Sequence, residues 1–110
     1  MVYNEQLAEK TRALISRRKG FSEKKMFGGV AYLINGNMSC GVLKDDLVVR
    51  VGPEEYDKVL ALPSARPMDF THRSIRGFVY VDPRGWSRSG ALKKWVAIGV
   101  DYASSLPMKK

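Results

Sequence analysis

A chain of 110 residues, 45% hydrophobic and 27% charged, is one domain's worth of ordinary globular sequence. Its longest apolar run, Val30 to Ile34, falls far short of the ~20 residues that cross a bilayer. The N-terminus has no basic stretch followed by an apolar one, so no membrane association and a cytoplasmic location are expected. Nineteen Lys and Arg against eleven Asp and Glu leave a formal charge of +8, which attracts anionic partners and also keeps a chain soluble.

Asn4 can cap a helix in which Leu7, Thr11, Leu14, Ile15 and Arg18 recur at three- and four-residue spacing, ending near Gly20. Arg17, Arg18 and Lys19 would then occupy its last turn, where positive charge complements the helix dipole. Met26 to Ile34 and Asn37 to Leu43 flank Asn35-Gly36, a pair suited to a tight hairpin because both turn positions require positive φ. Lys44-Asp45-Asp46 makes a second turn and Leu47 to Val51 a third strand. These segments predict a three-stranded meander. Gly52-Pro53-Glu54-Glu55 starts a second helix, with proline at the first helical position and acids in the first turn. Tyr56, Val59, Leu60 and Leu62 form its apolar stripe.

After Pro63 and Pro67, a short strand runs from Met68 to about Thr71. A better one spans Arg76 to Val81, rich in the β-branched and aromatic residues that suit a packed sheet. Ser87 or Ser89 can cap a last helix running to about Leu106, with Leu92, Trp95, Val96, Gly99, Tyr102, Ala103 and Leu106 on one face. The order α-β-β-β-α-β-β-α predicts one α+β domain over residues 1–110: two layers, an antiparallel sheet of about five strands with helices on one face.

Chemistry is sparse. One Cys and one His exclude an intramolecular disulfide and a Cys/His zinc site within the chain. Gly28, Gly29 and Gly36 fit neither a Walker loop nor a dinucleotide fingerprint, so close backbone packing explains the paired glycines. Cys40 and His72 are what a nucleophile–base pair would use, but no third, orienting group is evident. Met38, Cys40 and Val42 alternate onto one strand face, where a free Cys behaves as a small hydrophobe. Asp45 and Asp46 offer two carboxylates where a calcium loop needs several, and read as turn formers. No catalytic, metal or cofactor residue is assigned.

Two features remain as candidate contacts. The segment from Lys10 to Lys25 holds Arg17, Arg18, Lys19, Lys24 and Lys25 with Glu23 as its single acid, a positive face that could meet nucleic acid or an acidic protein. Trp86, with Arg84 and Arg88 beside it, reads either as an exposed recognition aromatic or as a hydrophobic staple on the helix it precedes.

The run Lys24-Lys25-Met26-Phe27-Gly28-Gly29, with Asn35-Gly36-Asn37-Met38 and Asp46 to Val51 after it, resembles the TfoX N-terminal domain family. Arg66-Pro67-Met68-Asp69-Phe70, Gly77 to Val81, and the closing helix with Leu92 and Trp95 also fit. Met26-Phe27-Gly28-Gly29 is the most specific part and reads as structural. The resemblance implies a small antiparallel sheet covered by helices. In competence regulators that domain is joined to a separate C-terminal domain, for which 110 residues leave no room, and acts in transcriptional control of DNA uptake. The expected function is a non-enzymatic regulatory or interaction module binding another macromolecule, a protein in the first instance. Its alternatives are a basic nucleic-acid-associated protein without sequence specificity, and an enzyme using Cys40 or His72. Unpaired sheet edges also make a homodimer an expectation.

Overall fold

The computed structural model describes residues 3–26, 28–70 and 73–108. Phe27, Thr71 and His72 lie outside the described residues. Asn4 caps α1 (Glu5–Ile15), its side-chain oxygen accepting the Leu7 N–H at 2.9 Å, with Glu5 in the first turn. Leu7, Ala8, Thr11 and Ile15 bury one face, on which the Thr11 hydroxyl donates to the Leu7 carbonyl at 2.8 Å. The helix stops at Ser16, short of the expected Gly20, so Arg17, Arg18 and Lys19 belong to the following turn. That turn closes on Gly20, whose φ of +84° is open to glycine at little cost.

Four strands follow in a meander: β1 (Phe21–Met26), β2 (Gly29–Ile34), β3 (Asn37–Leu43) and β4 (Asp46–Arg50). This corrects the expected three. Phe21-Ser-Glu-Lys-Lys-Met26 lacks an apolar alternation because it lies at the sheet edge. Charged residues on an edge strand deter pairing with foreign strands. The turn between β2 and β3 has Asn35 at φ 55° and Gly36 at φ 82°, the pair of positive values that an Asn-Gly hairpin requires.

α2 (Tyr56–Leu60) is shorter than expected. Pro53 to Glu55 form a turn before it, and Leu62, 45% exposed, leaves the apolar stripe. A hairpin of β5 (Ala65–Phe70) and β6 (Arg73–Val81) then completes an antiparallel sheet ordered β1-β2-β3-β4-β6-β5. Asp82 caps the short α3 (Pro83–Trp86), with Pro83 at its start. Ser87 ends α3, so neither Ser87 nor Ser89 caps α4 (Ala91–Ser104). Gly90 at φ 78° stands at that position, without a side-chain hydrogen bond.

The helices lie on one face of the sheet, and the main core sits between the layers. Leu7 and Ile15 of α1, Val59 of α2, and Trp95, Val96 and Val100 of α4 meet Val30, Tyr32, Cys40, Val42, Leu47, Val49, Val79 and Val81. Residues alternate between the faces along the strands, but the register shifts at two places, between Pro67 and Asp69 in the β5–β6 pair and in the β2–β3 pair. Tyr32 pairs with Cys40 but Leu33 with Met38, which leaves Ser39 as an extra residue in β3. Its hydroxyl donates to the Tyr32 carbonyl at 3.0 Å. The bulge reverses the side on which Met38 emerges. Met38 therefore does not share a face with Cys40 and Val42; it packs on the opposite face, against Val48, Met68 and Tyr80.

Candidate functional site

The sheet face away from the helices carries its own apolar cluster. Val48, Met68 and Tyr80 are buried, and Met38, Leu43 and Phe78 pack over them while remaining partly exposed. Two arginines frame the cluster. The Arg50 guanidinium carbon lies 5.1 Å from the centre of the Phe78 ring and 5.4 Å from that of Tyr102. Arg66 lies 4.8 Å from the Tyr80 ring centre and pairs with Asp46 at 2.5 Å. Their positions follow from the sheet register: Arg50 stands opposite Phe78, and Arg66 opposite Tyr80. Met, aromatic and Arg side chains are the types enriched in protein interfaces. The sequence alone does not reveal this arrangement, because the bulge at Ser39 and the β4–β6 pairing create it.

The five cations singled out from the sequence are not one surface. Arg17, Arg18 and Lys19 share the exposed turn after α1, whereas Lys24 and Lys25 sit on β1, where neighbouring side chains point to opposite faces. Glu23, between the turn and these lysines, is taken up by Arg12, whose Nε donates at 2.7 Å and Nη2 at 2.6 Å. Such an exposed pair orders the α1–β1 contact and contributes little stability.

Gly28 of the Met26-Phe27-Gly28-Gly29 motif turns the chain at φ 77°, and Gly29 opens β2, paired with Met26. A Cβ on Gly29 would stand 2.3 Å from the Val42 carbonyl oxygen, so glycine is what lets β2 lie so close to β3. Trp86 is half-buried against the main core and donates its indole N–H to the Asp45 carbonyl at 3.0 Å. Asn4 donates to the Asp45 carboxylate at 3.3 Å, so the Asp45-Asp46 turn ties together α1, α3 and β5. Among the described residues no three His, Cys, Asp or Glu side chains group as metal ligands.

Cys40 is fully buried, and burial pushes its thiol up to about 12, a rise only partly offset by the Ser39 hydroxyl. Nucleophilic cysteines have depressed pKa values and access to substrate; Cys40 has neither. The same burial carries Tyr32 well above the ordinary phenol range, while its hydroxyl donates to the Ala8 carbonyl at 2.8 Å.

A pH dependence follows. Folded Cys40 keeps its proton up to about 12, whereas in the unfolded chain it titrates near 9.0. Between those values the unfolded state binds fewer protons, so stability is complete below the lower value and falls as pH rises. From pH 9 to pH 10 the thiol alone should remove about 1 kcal/mol. Urea unfolding at the two pH values would show this, with Cys40→Ala losing less than the parent. Equal losses would place the alkaline sensitivity elsewhere.

No helix among the described residues is long and apolar enough to cross a membrane. No curated protein and no solved structure matches the chain. A profile of the TfoX N-terminal domain does match, over residues 13–103, a span that runs from the second half of α1 to the penultimate residue of α4. With that span covering most of the chain and the sheet-and-helix architecture that the Met-Phe-Gly-Gly motif suggested, the protein belongs to the TfoX N-terminal domain family, a regulatory rather than an enzyme family.

Proposed function

We propose that this domain is a non-enzymatic interaction module that binds another protein through the sheet face left uncovered by its helices. The observation that carries the reading is the apolar cluster on that face, with Met38, Leu43 and Phe78 partly exposed and Arg50 and Arg66 held over aromatic rings beside it. Arginine ordered in this way loses little freedom on binding, and aromatic and Arg anchors supply most of the energy of many interfaces. The charge of +8 and the framing arginines select a partner surface that is apolar at its centre and acidic at its rim. Both sheet edges are poorer sites: β1 exposes Lys24 and Lys25, and β5 carries Pro67, which cannot donate to a ladder.

A photo-crosslinking phenylalanine analogue placed at Phe78, and at Glu9 of α1 as a control, tests this in cells. The Phe78 position should give one discrete protein adduct that the Glu9 position does not. The double variant Arg50→Glu, Arg66→Glu should lower its yield about tenfold. Equal adducts from both positions, or none from Phe78, would refute the reading.

The basic-protein alternative rests on the exposed turn of Arg17, Arg18 and Lys19. It requires retention on duplex DNA or RNA that weakens steeply with salt.

A further inference from the structure

The loop after α2, the short α3 and the start of α4 enclose a cleft of about 640 Å³. Arg84, Arg88, Lys94, Ser64 and Ser89 line it together with Trp95, and none of its lining side chains is acidic. The cations differ in how they are held. Arg84 is fixed by its hydrogen bonds to Asp82 and to the Pro63 carbonyl. Arg88 and Lys94 are exposed and have no carboxylate partner among the described residues.

The same cleft receives the N-terminal end of α4. Helix starts favour acids and an oxygen-bearing cap, as Asn4 and Glu5 provide for α1. α4 has the reverse: Gly90 without a side-chain cap, no acid in the first turn, and Lys93 and Lys94 there instead. Arg88 precedes them. Like charges are thus collected around the positive end of a helix, in a concave site with hydroxyls to either side and no carboxylate lining it to balance them. Local rules broken without internal compensation mark functional positions.

We infer that this cleft binds a phosphoryl group, whether of a small phosphorylated ligand or of a nucleic-acid backbone. The Ser64 and Ser89 hydroxyls can donate to phosphate oxygens, while Arg88 and Lys94 supply charge-assisted bonds; the Ala91 and Lys94 amides already donate to the Arg88 and Gly90 carbonyls, so side chains carry the contact. This site is separate from the sheet face, and it moves the anion contact away from the Arg17–Lys19 turn, where charge alone suggested it.

Amide chemical shifts followed by NMR test the inference at constant ionic strength. Inorganic phosphate should produce saturable shifts at Ser89, Ala91 and Lys94, which line the cleft, that chloride does not. The double variant Arg88→Ala, Lys94→Ala, changed at exposed positions, should keep the fold and weaken the apparent affinity about tenfold. Replacing Arg17, Arg18 and Lys19 with Ala should leave those shifts unchanged. A parallel titration with a short single-stranded oligonucleotide separates the sources. Shifts of the same amides at far lower concentration identify a nucleic-acid backbone, and a response to inorganic phosphate alone identifies a small ligand. Absence of saturable shifts with both anions, or shifts that survive in the Arg88/Lys94 variant, would overturn the inference.

Discussion

Trp95→Ala should lower the stability of the domain by about 3–5 kcal/mol, the range for removing a large buried aromatic. The indole is 8% exposed and belongs to the core between α4 and the sheet. Its N–H donates to the Gly85 carbonyl at 3.1 Å, so the ring also pins α3 to α4. Truncation therefore opens a cavity and leaves that carbonyl without its partner, and neither loss can be repaired by a small shift of the helix. Trp95→Phe separates the contributions, keeping most of the apolar contact while removing the hydrogen bond. It should cost about 1–2 kcal/mol. Urea unfolding of both variants, with m-values compared to the parent, supplies the measurement. A loss under about 1 kcal/mol for Trp95→Ala would mean that the ring does not pack as described.

That burial is legible in the sequence, because Leu92, Trp95, Val96, Gly99 and Ala103 recur at helical spacing. So is the β2–β3 hairpin, since Asn35-Gly36 is a local signal whose φ requirement needs no tertiary context. The features that escape a reading of the sequence depend on neighbours distant along the chain. β1 is polar because it is an edge strand, and edge position is a property of the sheet. Met38 and Cys40 stand two residues apart, as side chains on one strand face do, and only the extra residue at Ser39 sends Met38 to the other face.

The candidate sites divide in the same way. Net charge and the run of cations through Lys25 are plain in the sequence, but their grouping is not. α1 ends at Ile15, and β1 separates Lys24 from Lys25, so proximity along the chain overstates one patch. The α4 cleft is hidden for the opposite reason. Its cations are scattered from Arg84 to Lys94, and Ser64 and Leu62 come from another part of the chain. The hint available is negative: a helix whose first turn reads Ala91-Leu92-Lys93-Lys94 has neither a side-chain cap nor an acid.

Gly99→Val should destabilise the domain by about 2–3 kcal/mol, as overpacking of a well-packed core does. Intrinsic preference predicts the opposite sign, since glycine inside a helix costs about 1 kcal/mol relative to alanine. Packing decides between them. A Cβ at position 99 would lie 2.3 Å from the Ser39 carbonyl oxygen and 3.7 Å from the Cys40 Cβ. The obstacle is backbone, held by the β-bulge that the Ser39 hydroxyl secures against Tyr32, and it cannot rotate away as a side-chain tip would. α4 must therefore lift from β3, which also loosens Trp95, Val96 and Val100. Gly99→Ala is the sharper comparison, because its helical preference and its clash oppose each other within one methyl group. It should still be less stable than the parent, and a stability gain in thermal unfolding would show that α4 does not approach the bulge this closely. The bulge that admits α4 through Gly99 also turns Met38 outward, so one extra residue in β3 sets both the close helix packing and the composition of the open face.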